Sequence, residues 1–465
     1  MDEEPAAVAA AVVGLATERR FADVEALFAP RLRAVASAET LRVGWEGEIA
    51  KIGPVSAVGG AVSEPGEAGL VRVRVPVTCE RGGLTVVMSV DHAGLLHGLR
   101  LGPPAGAAWE PPDYATPKRF TEREVTVGSG PPAVPGTLTV PAGRGPWPGL
   151  VLLSSGPFDR DLTTGPNKPF KDLAWGLASR GVAVARFDKV TGTHPHVGAE
   201  PGFTMAEEYV PHALAAVRLL REQRTVAAER VFVLGHSGGG KAAPRVAAAD
   251  ASIAGLVSLA GDTLPLPRAA VRVVRYLAEL DPGPAMTAAV EAVTRQAALV
   301  ESPGLTPATP AADLLFGWPA SYWLDLRTYD PVATAAELAK PMLILQGGRD
   351  YQVTAAGDLA RWRAGLAHRP DVTIRVHDAD DHLFFRGEGP STPAGYEVPQ
   401  HVDPAVVADI AGWLAAQARP GSRRARPSTD PRPESTNHRG SRWIKRFLRR
   451  RGRGRPGSRR STSSN

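Results

Sequence analysis

The sequence contains a single cysteine, Cys79, among its 465 residues. One thiol can form neither an internal disulfide nor a cysteine-rich metal site, so both are excluded as sources of stability. Cys79 falls in a valine-rich stretch with the alternation of a β-strand, and we interpret it as a buried apolar side chain. Scarce cysteine is usual in reducing compartments, which favours a cytoplasmic protein.

Long apolar runs are also absent from the sequence. No stretch reaches the roughly eighteen apolar residues that a membrane-spanning helix needs. The nearest candidate, 6–16, follows acidic residues where a signal peptide would carry positive charge. A composition with 43% hydrophobic and 22% charged residues is typical of a soluble globular protein, and the length predicts two or three domains.

Charge is distributed unevenly. Residues 420–465 contain 15 of the 54 Lys and Arg residues but only 2 of the 48 Asp and Glu residues. This tail therefore carries +13, whereas residues 1–419 carry −7. Its Ser, Pro, Gly and Arg content predicts disorder over 419–465. Trp443, Ile444, Phe447 and Leu448 would share one helical face among basic residues, so weak binding to anionic lipid or nucleic acid is the alternative to a solvated extension.

The N-terminal segment, 1–103, has the pattern of a small α+β domain of unknown role. Two helix-like stretches run from Ala6 to Leu41 with a break near Pro30, and the period changes after Trp45. Short alternating runs separated by glycine-containing turns then predict strands over 70–79, 84–90 and 95–101. A Pro- and Gly-rich linker follows at 104–118. We expect this domain to serve stability, homodimer contacts or substrate access.

Residues 119–418 alternate apolar strand runs with helical stretches. Two runs, 120–127 and 136–140, are predicted to form a pair of antiparallel strands, the lead-in strands, before the parallel part of the sheet. Six more are predicted strands, most of them followed by helical sequence: 149–153, 182–187, 230–234, 253–259, 342–345 and 372–376. The alternation predicts an α/β fold with a mostly parallel sheet and helices on both faces. A helical insertion at 262–340 would lie above the carboxyl ends of the strands, where such sheets bind ligands.

The sequence Gly235-His236-Ser237-Gly238-Gly239 joins a predicted buried strand to a predicted helix. This is the G-x-S-x-G pattern, in which small residues permit a sharp turn that exposes the serine hydroxyl. The backbone N–H of Gly238, at the start of the helix, would stabilise an oxyanion. A glycine-rich turn without catalysis is the alternative, which the strand and helix context disfavours. His236 is interpreted as packing behind the turn.

A serine nucleophile needs a base and an acid, which follow it in chain order in this kind of fold. His382 lies on a loop just after the last predicted strand, whereas His368, His377, His401 and His438 have less suitable positions. Asp350 closely follows the strand at 342–345 and is the preferred acid. Asp380 and Asp381 are its rivals, interpreted as solvated loop charges.

The remaining site residues come from two further segments. The loop after the strand at 149–153 should supply the second oxyanion donor, from the N–H of Ser155 or Gly156. Asp159, Arg160 and Asp161 in the same loop are interpreted as an ion-pair network. Trp318, Tyr322 and Trp323 could line an acyl pocket or form the core of the insertion. His194 and His196 have no convergent third ligand, so no metal is expected.

Several motifs between Gly149 and Trp413 carry a resemblance to a known family. They are Ser155-Gly156-Pro157, Asp159-Arg160-Asp161, Gly165 to Phe170, Arg186-Phe187-Asp188-Lys189, Gly235-His236-Ser237, Gln346 to Tyr351 and Asp381 to Phe384. On these motifs the segment resembles bacterial α/β-hydrolases related to esterase D-type enzymes and serine aminopeptidase-like hydrolases. The resemblance implies the α/β-hydrolase fold and a Ser237, Asp350 and His382 triad. In such relatives an N-terminal α+β domain often precedes the hydrolase, and His-Gly usually stands where this chain has Leu153-Ser154.

These features predict a cofactor-independent serine hydrolase that cleaves carboxylic esters. Peptidase action on short peptides and acyl thioester hydrolysis are the alternatives, because one triad serves all acyl transfers. A binding protein on an inactive hydrolase fold is the non-enzymatic alternative. It is disfavoured because all three triad positions are occupied.

Overall fold

The structure, a computed structural model, describes residues 3–33, 36–65, 70–102, 109–130, 132–156 and 158–417. The basic tail, with Trp443, Ile444, Phe447 and Leu448, lies outside these residues. Within the described ranges, no helix has both the length and the apolar character needed to cross a membrane.

The N-terminal segment opens with four helices: α1 (Glu3–Thr17), α2 (Phe21–Ala26), α3 (Pro30–Arg33) and α4 (Ala38–Ile52). The predicted break near Pro30 is present. The predicted change of period after Trp45 is wrong, because α4 continues to Ile52 and buries Trp45. Ser37 caps α4 by accepting a hydrogen bond from the backbone of Thr40, a signal that the sequence contained.

Five strands complete this segment: β1 (Val55–Val58), β2 (Val62–Pro65), β3 (Val71–Cys79), β4 (Gly82–Val90) and β5 (Leu96–Gly102). The three longer strands form the antiparallel meander that the sequence predicts, and β1 and β2 pair with β3. Alternate residues of β3, among them Val73, Val75 and Cys79, are buried against the helices. The predicted burial of Cys79 is therefore confirmed. The boundaries at 103 and 118 stay predictions.

The larger sheet has eight strands in the described residues, in the order β13-β12-β11-β10-β8-β9-β7-β6. They are β6 (Phe120–Val127), β7 (Val134–Pro141), β8 (Trp147–Leu153), β9 (Ala183–Phe187), β10 (Val226–His236), β11 (Leu256–Leu259), β12 (Met342–Gly347) and β13 (Val372–His377). The lead-in strands β6 and β7 are antiparallel, and β8 to β13 pair in parallel. All eight predicted runs are strands.

Helices cover both faces of this sheet. They are α5 (Pro169–Ala178), α6 (Val190–Thr193), α7 (Pro195–Gly198), α8 (Met205–Arg221), α9 (Gly238–Ala249), α14 (Ala360–Leu366) and α15 (Pro404–Ala416). One core lies between the sheet and α8, α9 and α14, and the other lies between the sheet and α5 and α15. Burial on both faces explains why the central strands are apolar throughout.

The insertion between β11 and β12 contains α10 (Leu266–Leu280), α11 (Pro284–Glu301), α12 (Ala320–Thr328) and α13 (Pro331–Glu337). Helices α10 and α11 pack together, and a small core of their own includes Val300, Leu314 and Trp323. Helix α13 instead packs on α9 and α14, so the last part of the insertion belongs to the wall of the main domain.

Candidate active site

Ser237 occupies the single residue between β10 and α9. Its backbone has φ 54° and ψ −121°, a left-handed conformation that costs a non-glycine residue free energy and is found at functional turns. A side chain on Gly235 would overlap the carbonyl of Gly239, and one on Gly239 would overlap the carbonyl of Leu153. The two flanking glycines are thus required by the close approach of the strand and the helix.

Asp350 and His382 meet at the carboxyl edge of the sheet. His382 Nδ1 lies 2.8 Å from Asp350 Oδ2, and both side chains are buried. The other carboxylate oxygen of Asp350 accepts from the backbone N–H groups of Gln352 and Val353, at 2.8 and 2.9 Å. These bonds fix the carboxylate so that it orients the imidazole and fixes its tautomer.

The electrostatics at His382 favour the protonated imidazole relative to a free histidine. Burial lowers the pKa of His382, but the charge and hydrogen bond of Asp350 raise it by more, so the net shift is upward from 6.5. A charged Asp350 thereby stabilises the imidazolium that a proton-accepting His382 becomes.

His236 connects the loop of His382 to the turn of Ser237. Its Nε2–H donates to the backbone carbonyl of His382 at 2.7 Å, and the two imidazole ring centres are 4.7 Å apart. Burial, with a further contribution from His382, lowers the pKa of His236 to about 3, so it stays neutral. The interpretation that His236 packs behind the turn is confirmed, and the contact brings His382 beside the residue that precedes Ser237.

The proposed oxyanion donors lie near Ser237, on the wall of one cavity. Ser155 and Gly156, after β8, line one cavity together with Ser237 and Gly238. A Cβ placed on Gly238 would lie 3.5 Å from Cβ of Ser155, so the two backbone segments are adjacent. As the first residue of α9, Gly238 has an N–H that the helix cannot satisfy, and such groups bind anionic oxygen.

Ion pairs hold the loop that follows Gly156. Arg160 contacts Asp188 at 3.0 Å and pairs with Glu124, while Asp161 contacts Arg186 at 2.8 Å and Lys168 at 3.1 Å. Asp159 accepts hydrogen bonds within the loop. The predicted ion-pair network is confirmed for Arg160 and Asp161, whereas Asp159 only accepts hydrogen bonds, and together they fix the path of the chain next to Ser155.

The interpretation of Asp380 and Asp381 as solvated charges is wrong, because both are buried. Asp381 accepts from the backbone N–H groups of Leu383 and Phe385, at 2.9 and 3.0 Å, and so shapes the turn that carries His382. For Asp380, burial and then the nearby charge of Asp403 raise the pKa to about 7. Asp380 is therefore a neutral acid in the folded protein below that pH.

Asp380→Asn is expected to raise the free energy of unfolding by about 1 to 2 kcal/mol at pH 8 and by only about a third as much at pH 5. Asp380 stabilises the fold at low pH and loses this contribution as the pH rises from its usual 3.8 through about 7, whereas asparagine stays neutral. Urea unfolding at both pH values measures the difference. Asp378→Asn, at an exposed position of the same loop, is the control. An equal gain at pH 5 and pH 8 would contradict the proposed titration.

The other downstream histidines have partners outside this cluster. His377 pairs with Asp409 on α15, and His401 pairs with Asp172 on α5. His368 follows α14, and His438 lies outside the described residues. His194 donates to the carbonyl of Ala133. Among the described residues, no group of three or more His, Cys, Asp or Glu side chains is placed to hold a metal ion.

A cavity of about 650 Å³, here called the cap cavity, extends from Ser237 into the insertion. Trp318 and Tyr322 line it, but Trp323 does not, because Trp323 is buried in the core of the insertion. Trp323 thus belongs to the core of the insertion, whereas the binding of an acyl group against Trp318 and Tyr322 stays a prediction. The apolar wall is completed by Leu266, Ala269, Ala270, Val273, Val274, Leu277, Val293, Phe316 and Leu326.

Lys241, Asp262 and Glu208 also line the cap cavity, and they belong to two ion pairs that the sequence patterns did not reveal. Lys241 Nζ lies 2.6 Å from Asp262, and Lys189 Nζ lies 3.2 Å from Glu208. The hydroxyl of Tyr322 donates to the second oxygen of Glu208. These pairs join residues 19 to 114 positions apart in the chain, so no local signal could have predicted them.

Comparison with known proteins identifies one curated relative and several solved structures that resemble this chain. Over 337 residues the chain is 37% identical to esterase EstD of Thermotoga maritima, a match that covers 72% of this chain and 77% of the relative. No protein-family model matches the chain. Solved structures with a similar fold include the Pyrococcus furiosus esterase PF2001, at 18% identity and a TM-score of 0.40 over 60% of this chain and 91% of that one. Est1E of Butyrivibrio proteoclasticus matches at 15% identity and a TM-score of 0.41, over 63% and 98% of the two chains.

Proposed function

Because the chain belongs to the esterase family of Thermotoga maritima EstD, within the α/β-hydrolases, and is an ester hydrolase, we propose that it cleaves carboxylic esters through an acyl-enzyme on Ser237. His382 is the general base and Asp350 its orienting acid. The observation that carries the proposal is the buried hydrogen bond between His382 and Asp350, on a loop that His236 ties to the turn of Ser237.

In the first half-reaction His382 Nε2 accepts the proton of Ser237 as the serine oxygen bonds to the acyl carbon. The carbonyl oxygen becomes an oxyanion, which the N–H groups of Gly238 and Ser155 or Gly156 stabilise. The intermediate collapses with cleavage of the bond to the alkoxy group, and the alcohol leaves with the proton of His382. Water then attacks the acyl-enzyme by the same route and releases the carboxylic acid.

The charges of the cap cavity favour a neutral acyl group over a substrate with a free amine. Its two carboxylates, Glu208 and Asp262, are each paired with a buried lysine. A substrate ammonium group would find both carboxylates already compensated, and burying an unpaired charge costs several kcal/mol. This supports ester hydrolysis over aminopeptidase action. A panel of p-nitrophenyl acyl esters and aminoacyl anilides tests the choice, and turnover of the anilides alone would overturn it.

Val273→Trp is expected to reduce kcat/KM for an octanoate ester by about tenfold or more relative to an acetate ester. Val273 lies on α10 in the apolar wall of the cap cavity, so tryptophan there would fill space that a long acyl chain needs. Hydrolysis of both p-nitrophenyl esters measures the ratio. Arg275→Trp, at an exposed position of the same helix, is the matched control. The same loss for both esters would contradict acyl binding along α10.

Three further expectations from the sequence are part of the proposal, and no observation in the described residues bears on them. They are a cytoplasmic location, a homodimer, and binding of the tail at 419–465 to anionic lipid or nucleic acid. Light scattering of the full chain tests whether it forms a homodimer. Salt-dependent binding of the full chain to anionic vesicles or to DNA tests the role of the tail.

A further inference from the structure

Tyr209 stands next to the proposed oxyanion donors. It lies in the first turns of α8, is 5% exposed, and lines the cap cavity together with Ser237 and Gly238. A Cβ placed on Gly238 would lie 3.2 Å from the Tyr209 hydroxyl oxygen and 3.5 Å from Cβ of Ser155. The hydroxyl, the start of α9 and the loop after β8 therefore converge on one point beside Ser237.

The hydroxyl of Tyr209 has no hydrogen-bond partner within the part of the chain that the structure describes. Two neighbouring tyrosines do have one, since the buried Tyr322 donates to Glu208 and the half-buried Tyr329 donates to the carbonyl of Lys241 at 2.7 Å. A phenol group in a largely apolar cavity costs free energy unless it is hydrogen-bonded. Its position at the cavity wall, 95% buried and unpartnered, indicates a group that a ligand completes.

The surroundings keep this hydroxyl a donor. Burial raises the pKa of Tyr209 well above 10, and the charge of Glu208 raises it further, so the phenol is protonated at neutral pH. Lys189 Nζ lies 3.2 Å from the centre of the Tyr209 ring and is paired with Glu208. A cation over the ring draws electron density from the phenol and holds the ring in one orientation.

We propose that Tyr209 is a catalytic residue that donates a hydrogen bond to the acyl oxygen as negative charge develops on it. The hydroxyl acts beside the N–H groups of Gly238 and the Ser155 loop and keeps its proton throughout. The inference rests on the proposed function, because it needs a tetrahedral intermediate on Ser237. Donors aimed at the oxyanion act on the transition state more than on the bound ester.

Tyr209→Phe is expected to lower kcat for p-nitrophenyl butyrate by about 100-fold, with KM changed less than twofold. Affinity for an alkyl trifluoromethyl ketone, which forms a tetrahedral adduct with the serine, should fall by the same factor. Tyr114→Phe is the matched control, since it removes a buried tyrosine hydroxyl without a hydrogen-bond partner that packs against α5, away from the cap cavity. It should keep the turnover and the ketone affinity of the unmodified protein.

A rescue experiment distinguishes hydrogen-bond donation by the Tyr209 hydroxyl from a packing role of its ring. A fluorinated tyrosine at position 209 keeps the hydroxyl and should restore kcat to within a few-fold, and this variant serves also if Tyr209→Phe does not fold. Unchanged kcat and ketone affinity in folded Tyr209→Phe would overturn the inference, as would a loss confined to KM. These outcomes are distinct from failure of the proposed function, which would show as normal turnover by Ser237→Ala.

Discussion

Ser237→Ala is expected to reduce the turnover of a short-chain ester by about a million-fold, to the level of the uncatalysed background plus oxyanion stabilisation. The substitution removes only the hydroxyl, so the covalent route is lost while the turn keeps its backbone. Ser237 donates its backbone N–H to Leu259 and accepts from Lys241 through its carbonyl, both at 3.0 Å, and alanine retains both bonds. The variant should therefore fold and unfold as the unmodified protein does.

The measurement is p-nitrophenyl acetate hydrolysis by purified protein, combined with labelling by a fluorophosphonate. Circular dichroism during heating verifies that the fold is retained. Ser252→Ala is a suitable control, since Ser252 lies in the turn between α9 and β11 and outside the cap cavity. Labelling of folded Ser237→Ala at the normal rate would show that another residue is the nucleophile.

His382→Ala is expected to be nearly as damaging, with a loss on the order of 10⁵- to 10⁶-fold. Without the imidazole, the hydroxyl of Ser237 has no base, and Asp350 is left as a buried carboxylate whose histidine partner is gone. Because the serine and the histidine act as one unit, the double variant should lose little more than either single one. His377→Ala is the comparison, since that histidine pairs with Asp409. Loss of activity in His377→Ala with retention in folded His382→Ala would show that the base is misassigned.

The pH profile gives a second measure of His382. Since the net effect of Asp350 and burial raises the pKa of His382 above 6.5, kcat/KM should fall as the pH drops through a value above 6.5. Asp350→Asn removes the charge that favours the protonated imidazole, so this acid limb should move to lower pH as turnover falls. An acid limb that stays in place in Asp350→Asn would show that a group other than His382 titrates there.

Local sequence patterns were sufficient to predict those elements whose structure depends on nearby residues. The strands of the large sheet were predictable because six of them contain short apolar runs bounded by turn residues, and the two lead-in strands have the residue pattern of an antiparallel pair. The turn of Ser237 was predictable because α9 lies so close to β10 and β8 that only glycine fits at 235 and 239. His382 and Asp350 could be selected because both follow parallel strands, whose carboxyl ends share one edge. Local patterns did not predict the short strands β1 and β2, because they depend on pairing with β3. Nor did they predict that α4 continues past Trp45, because packing decides it.

The sequence by itself determined which residues are candidates for the chemistry: a serine between a buried strand and a helix, with an aspartate and a histidine after it in the order that such a fold needs. Only the tertiary structure decided the surroundings of that chemistry. It buries Asp380 and Asp381 in the turn of His382, turns Trp323 into the core of the insertion, and brings Tyr209 against Gly238. Those contacts join residues far apart in the chain. The free energy of burying a polar group depends on the partners it meets in the folded protein, and no local sequence pattern specifies those partners.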